Sequence, residues 1–404
     1  MPTAPTQHFF AICPRGLETL LADELAALDA QHITPDHGGV SFRGPLACAY
    51  QVNLHSRMAS RVLWQVAQGG YSNSDDLYAL AHDVRWNEHL RAGHSLRVDV
   101  TARASPLQSL HFATLKIKDG LVDQMREATG ERPSIERATP DARVFAYLEA
   151  EQATLYLDLS GAPLFKRGWR RDKGEAPLKE NLAAGLLRLS GWQPERPLLD
   201  PLCGSATLAI EAATMAIGQA PGLNRPFAFQ KLLSFEQAPW QAALERAHQA
   251  LRPNAECLIV GSDISTQVID VARRNAQTAG LQALLADGRL RLTAADARHV
   301  LPPDGRTTGM IVSNPPYGEQ SSPKSAPVSG LMRDFAQQLK TAFGGWEVWL
   351  LSADRKLPGQ LRLQESRKIV LFNGPLECRL FRFDMVAGHY EKPRSHGAAA
   401  DPQK

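Results

Sequence analysis

The segment Val312-Ser-Asn-Pro-Pro-Tyr-Gly-Glu319 follows an apolar run and carries two consecutive prolines. Each proline lacks an N–H and has a fixed φ, so a strand entering this segment must end at Asn314. Left at the strand end are a carboxamide, the carbonyl of Pro315 and the ring of Tyr317. A planar amine on a base or carboxamide is a poor nucleophile, because its lone pair is delocalised. Two acceptors that take both of its N–H bonds hold the nitrogen and favour pyramidalisation as a new bond forms. Asn314 Oδ1 and the Pro315 carbonyl are suitable acceptors, preorganised by the prolines. Tyr317 offers a flat face on which a flipped base can stack. The alternative is a rigid turn that only terminates a strand.

Three further segments place small or acidic residues after apolar runs. Asp200-Pro-Leu-Cys-Gly204-Ser-Ala-Thr207 precedes a helical pattern, "LAIEAATMAI". A turn of small residues lets backbone approach a ligand, and the helix start leaves N–H groups free; an ordinary tight turn is the alternative. Asp263, in Gly261-Ser-Asp-Ile264, can take two hydrogen bonds from a ribose diol. It can equally cap the next helix, although Ser265 could do that instead. Asp296, in Ala295-Asp-Ala297, can accept from an adenine amino group or serve as a cap. Each aspartate alone reads as structural, whereas three in order with nucleoside-compatible chemistry read as a site.

The elements needed to position these residues are visible. From Leu198 onward, short apolar strands alternate with helix-length segments: "PLLDPLCG", "CLIVGSDIS", "RLRLTAADA", "TGMIVSNPPYG", "WEVWLLSAD", "RKIVLFNG" and "CRLFRFDM". This pattern predicts βαβ units, a mostly parallel sheet and helices on both faces. The last two strands, separated by Gly374-Pro375, are expected to pair antiparallel. In such sheets ligands collect at the carboxyl ends of the strands, where all four segments lie. Upstream, "HFFAIC", a helix after Pro14-Arg15-Gly16, "GGVSFRG" and "PLACAYQVNLHSRMASRVLWQVAQ" suggest one small α+β unit. A second has helices at "SDDLYALAHDV" and "HFATLKIKDGLVDQMREAT", the strand "SLRVDVTAR", and a hairpin turning at Glu151-Gln152.

The 404-residue length calls for two or three domains. Hydrophobic content of 44% and charged content of 22% are those of a globular, soluble chain rather than a disordered one. A net charge of +3 permits a nucleic-acid partner without requiring one. Five scattered cysteines without a CxxC pair suggest neither zinc nor a disulfide framework. No metal site is expected. With no leader-like opening and no apolar run of spanning length, a reducing cytoplasm is the expected location and no membrane partner is expected. The run Lys166, Arg167, Arg170, Arg171, Lys173 can contact RNA phosphates or be a solvated linker partly neutralised by Asp172 and Glu175.

The order of strand ends resembles class I S-adenosylmethionine-dependent methyltransferases rather than dinucleotide dehydrogenases, since the loop lacks the full G-x-G-x-x-G. Asn-Pro-Pro-Tyr resembles the N-methyltransferase signature of enzymes acting on adenine N6, guanine N2 or glutamine. The two leading α+β units, "LFKRGWRRDKGEAPLKENLAAGLL" and "LFNGPLECRLFRF" extend the likeness to the RlmL-type family of 23S ribosomal RNA guanine-N2 methyltransferases. The likeness implies a ferredoxin-like domain at 7–70, an RNA-binding THUMP domain at 71–162, a Rossmann-like methyltransferase domain at 163–390 and a disordered tail at 391–404. It also implies S-adenosyl-L-methionine held by Asp200, Gly204, Asp263, Asp296 and Asn314, with Asn314, Pro315 and Tyr317 at the base. Ala206 departs from the family loop, which carries glycine there. The rival expectations are transfer RNA as substrate, and a non-catalytic RNA-binding or ribosome assembly factor.

Overall fold

The computed structural model describes residues 5–170, 178–316 and 328–386. Tyr317, Arg171, Lys173 and the expected tail at 391–404 therefore lie outside the described residues.

The chain begins with β1 (Gln7–Ile12), α1 (Glu18–Ala26), β2 (Gln31–Asp36), β3 (Gly39–Gly44), α2 (Leu46–His55) and β4 (Arg61–Gly70). A second group follows: α3 (Ser74–His82), β5 (Leu96–Arg103), α4 (Leu110–Thr129), β6 (Ala142–Glu149) and β7 (Gln152–Asp158). These two units share one seven-stranded sheet, ordered β2-β3-β1-β4-β7-β6-β5 and joined where β4 pairs antiparallel with β7. Along β6, Ala142, Val144, Ala146 and Leu148 are buried and the intervening side chains half-exposed, the period-two pattern of a sheet with one covered face. The expected β6–β7 hairpin is present, closing at Glu149 opposite Gln152. β2 is not visible in the sequence because it has no apolar alternation, and Pro35 argues against a strand. At a sheet edge both features are tolerated.

The second half contains α5 (Glu180–Ser190), β8 (Leu198–Asp200), α6 (Thr207–Ala216), α7 (Gln237–Gln249), β9 (Ile259–Asp263) and α8 (Thr266–Thr278). It continues through α9 (Gln282–Ala286), β10 (Leu290–Ala294), β11 (Gly309–Ser313), α10 (Val328–Ala342) and β12 (Trp346–Ser352). α11 (Leu357–Leu361), β13 (Arg367–Asn373) and β14 (Leu376–Asp384) complete it. The sheet order is β10-β9-β8-β11-β12-β14-β13. Strands β8 to β12 pair in parallel, and β14 runs antiparallel between β12 and β13. β13 is therefore parallel to the rest and ends at the same sheet edge. All five residues of β11 are buried, as a central strand covered on both faces requires.

The two halves are locked by polar and aromatic contacts. Arg57, in the turn after α2, donates to Glu211 Oε2 (3.1 Å) and Thr214 Oγ1 (3.1 Å) on α6 and to the Gln219 carbonyl (2.6 Å). Arg167 donates to the other Glu211 oxygen (3.3 Å) and to the Arg57 carbonyl (2.7 Å). Asn181, buried on α5, donates to Ser60 Oγ at 3.0 Å. Tyr50 on α2 stacks on Phe229 (4.4 Å between centroids), which meets Trp240 of α7 edge-on at 5.1 Å.

Candidate active site

Parallel pairing brings the predicted strand ends to one edge. Asp200 closes β8 opposite Gly261, Asp263 closes β9 opposite Ala294, and Asn314 follows β11. β8 lies between β9 and β11, so the chain departs to opposite sides of it, the switch point at which open α/β sheets form a crevice.

Asp200 is fully buried at the centre of this edge. Its Oδ1 accepts a 2.6 Å bond from Ser313 Oγ and a 3.3 Å bond from the Leu202 N–H. Burial pushes its carboxyl up to about 7, opposed by the Ser313 bond and assisted by the negative charge of Asp263. Ser313 immediately precedes Asn314, so one hydrogen bond ties the glycine-loop strand to the Asn-Pro-Pro corner. Sequence reasoning misses Ser313; that its hydroxyl faces β8 depends on strand pairing. Asn314 Oδ1 is buried and has no hydrogen-bond partner among the described residues. An orphaned buried acceptor is costly unless a ligand donor meets it.

The loop between β8 and α6 folds back on β9: the Cys203 N–H donates to the Ser262 carbonyl and the Ala206 N–H to the Cys203 carbonyl, both at 2.8 Å. Gly204 has φ +52, and a Cβ built there would meet nothing within 4 Å, so the loop has an open side on which a ligand can sit against backbone. Ala206 is also left-handed (φ 65, ψ 33) and fully buried. That conformation penalises a Cβ, which accounts for glycine being the expected residue there.

Arg170 spans this strained point. Its guanidinium donates to Ser205 Oγ (2.9 Å), Thr207 Oγ1 (2.7 Å) and Glu180 Oε1 (3.0 Å), flanking Ala206 on both sides. The expected phosphate contact therefore fails for Arg170, and for Arg167, which is 5% exposed and committed to Glu211. Their charged sequence neighbours suggest solvation, whereas their partners lie far along the chain. Lys166 is exposed, as a phosphate contact requires.

Asp263 is partly buried, and its Oδ1 accepts from the Ser265 N–H at 2.9 Å. Ser265, not Asp263, caps α8 by accepting from Val268 N–H (3.3 Å), so the second Asp263 oxygen remains available. Asp296 is differently occupied. It accepts from the Arg298 N–H (2.9 Å) and from that guanidinium, which holds its carboxyl below the usual range. An adenine amino group would have to share or displace that arginine.

An open sheet of this order, with a glycine loop after β8 and an Asn-Pro-Pro corner after β11, is that of a class I methyltransferase domain. The chain matches the RMKL-like methyltransferase domain over residues 167–382, the RlmL ferredoxin-like domain over 8–63 and the THUMP domain over 71–158. It belongs to the RMKL-like methyltransferase family. Among curated relatives, the ribosomal RNA large subunit methyltransferase K/L of Syntrophotalea carbinolica is 39% identical over 403 residues, covering 96% of this chain and 56% of the relative. That of Aeromonas hydrophila is 38% identical, with 94% and 54% covered. The chain thus spans about half the length of the curated relatives it matches. A solved methyltransferase complexed with SAH superposes with a TM-score of 0.84 at 26% identity, covering 96% of this chain and all of that one. A Listeria monocytogenes protein described as an N6-adenine-specific DNA methylase superposes equally well (TM-score 0.84, 27% identity, 94% and 97% covered).

Proposed function

We propose that this chain methylates the exocyclic N2 of a guanine in large-subunit ribosomal RNA, using S-adenosyl-L-methionine. The observation that carries the reading is the buried Asn314 Oδ1 after the end of β11, without a hydrogen-bond partner among the described residues, together with an open glycine loop after β8. When bound, S-adenosylmethionine supplies an electrophilic methyl group on its sulfonium. Gly204 admits it to the backbone, Asp263 offers an oxygen to its ribose, and Asp200, buried and bonded to Ser313, holds the loop after β8 against the Asn-Pro-Pro corner. Asn314 Oδ1 and the Pro315 carbonyl accept from the amino group of the base and keep the nitrogen lone pair on the line of transfer. In-line positioning supplies most of the rate, so no strong general base is required. Ribosomal RNA as substrate is supported by the THUMP match at 71–158 and by the names of the curated relatives; a cytoplasmic reaction follows from that reading. No helix among the described residues is long and apolar enough to cross a membrane.

The test is nucleoside mass spectrometry of ribosomal RNA, transfer RNA and DNA from cells lacking the gene. Loss of N2-methylguanosine from the large ribosomal RNA is expected. Loss confined to transfer RNA, or altered DNA with unchanged RNA, overturns the substrate assignment. Asn314→Ala should lower transfer at least about a hundredfold, the scale of removing a preorganised transition-state hydrogen bond, while isothermal titration shows retained cofactor binding.

A further inference from the structure

Four segments remote in sequence, one of them contributing Ser60 just before β4, line a cavity of about 210 Å³ between the two halves of the molecule. Cys13, Pro14 and Arg15 come from the turn after β1, Lys179 from the start of α5, and Phe372 and Asn373 from the end of β13. Because β13 is parallel to β11, this cavity opens at the edge that carries Asn314. β13 lies three strands from β11, roughly 14 Å at ordinary strand spacing. The cavity therefore lies on the side of β11 opposite β8, β9 and β10.

Its lining carries two cations and no carboxylate among the described residues. Among the residues lining it, the ionised side chains are Arg15 and Lys179, and neither has a carboxylate partner among the described residues. The Arg15 guanidinium lies 4.0 Å above the Phe372 ring and the Lys179 ammonium 5.1 Å from that of Phe165. Aromatic faces orient a cation without neutralising it. Among the described residues the acids around it have other hydrogen-bond partners, Glu24 accepting from Ser56, Arg57 and Met58. Glu18 accepts from the Gly16 and Gly38 N–H groups at 2.7 and 3.0 Å. Glu180 pairs with Arg170, and Glu377 with Arg355 and Arg379. Burial pushes the Cys13 thiol up, so it adds no negative charge.

We propose that this interdomain crevice is a phosphate site in which Arg15 and Lys179 hold the RNA backbone close to the target base. It rests on the RNA reading above and joins the ferredoxin-like half directly to the catalytic edge. A nucleic-acid phosphate suits two cations contributed to one cavity by the two halves of the molecule, and charge neutralisation gives its binding a salt dependence.

The experiment measures binding of the full chain to protein-free large-subunit ribosomal RNA from cells lacking the gene, across a salt series. Variants are Arg15→Gln, Lys179→Gln, their combination, Arg15→Lys, and Lys368→Gln as an exposed lysine of β13 outside the crevice. The double variant should bind RNA roughly five- to tenfold more weakly, and its salt slope should fall by about one for each phosphate left without its cation. Arg15→Lys should retain the slope, and Lys368→Gln should leave both quantities unchanged. The weakening should appear in the KM for RNA rather than in cofactor dissociation. Wild-type binding with an unaltered slope in the double variant overturns the site alone. A wild-type protein that binds no RNA overturns the RNA reading and the site together.

Discussion

Asp200 is a carboxyl group placed where water cannot solvate its charge, and this sets its pH behaviour. Its carboxyl rises from an ordinary 3.8 to about 7 in the folded chain. The folded state therefore keeps this proton while the unfolded state has lost it. Its contribution to stability is full below about pH 4 and is lost as pH rises to about 7. Asp200→Asn, which can still accept from Ser313, should remove that loss. Denaturant midpoints of the variant and the parent should diverge between about pH 5 and 7, then run parallel above about pH 8. Ala206 makes a second residue-scale case. Its left-handed backbone disfavours any side chain, so Ala206→Gly should stabilise the protein by about 1 kcal/mol in urea unfolding.

At the scale of elements, the glycine loop is held from outside. Its own hydrogen bonds, from Cys203 to Ser262 and from Ala206 back to Cys203, set the turn. Arg170 then pins Ser205 and Thr207 on either side of the strained residue while sharing the Glu180 carboxylate. Arg170→Ala removes these charge-assisted bonds and leaves Glu180 without its cation in a buried position. A loss of roughly 2–3 kcal/mol in unfolding free energy is expected. Titration calorimetry should also show weaker cofactor binding, because the loop gains freedom. Arg170→Lys cannot span both hydroxyls and should recover little of it. The βαβ alternation that builds this edge is legible because parallel strands buried on both faces read as continuous apolar runs. β2 is not legible, since an edge strand needs neither alternation nor freedom from proline.

For the whole molecule, the Arg57–Glu211–Arg167 triad matters most. Glu211 is 1% exposed and is shared by two arginines, one from the N-terminal half and one from the connecting segment. Removing it strands two guanidinium groups away from water. Glu211→Ala should cost about 3–5 kcal/mol in equilibrium unfolding, far more than loss of a surface pair such as Arg85–Glu88. α6 carries Glu211 and begins at the glycine loop, so the triad anchors the catalytic domain to the N-terminal sheet through the helix nearest the cofactor edge.

The sequence by itself determined the two architectures, the strand ends that bear Asp200, Asp263 and Asn314, and the stop that the two prolines impose after Asn314. These follow from local periodicity, proline geometry and residue type, which short stretches express without help from distant parts of the chain. Tertiary structure alone decided which charges are free. Arg167 and Arg170 sit in a basic run yet turn inward to Glu211 and Glu180, whereas Arg15 and Lys179, unremarked in the sequence, line one crevice with no carboxylate partner among the described residues. The reason is physical: a side chain's charge is written in its type, but its partner is chosen by chain segments that fold together from opposite ends of the sequence.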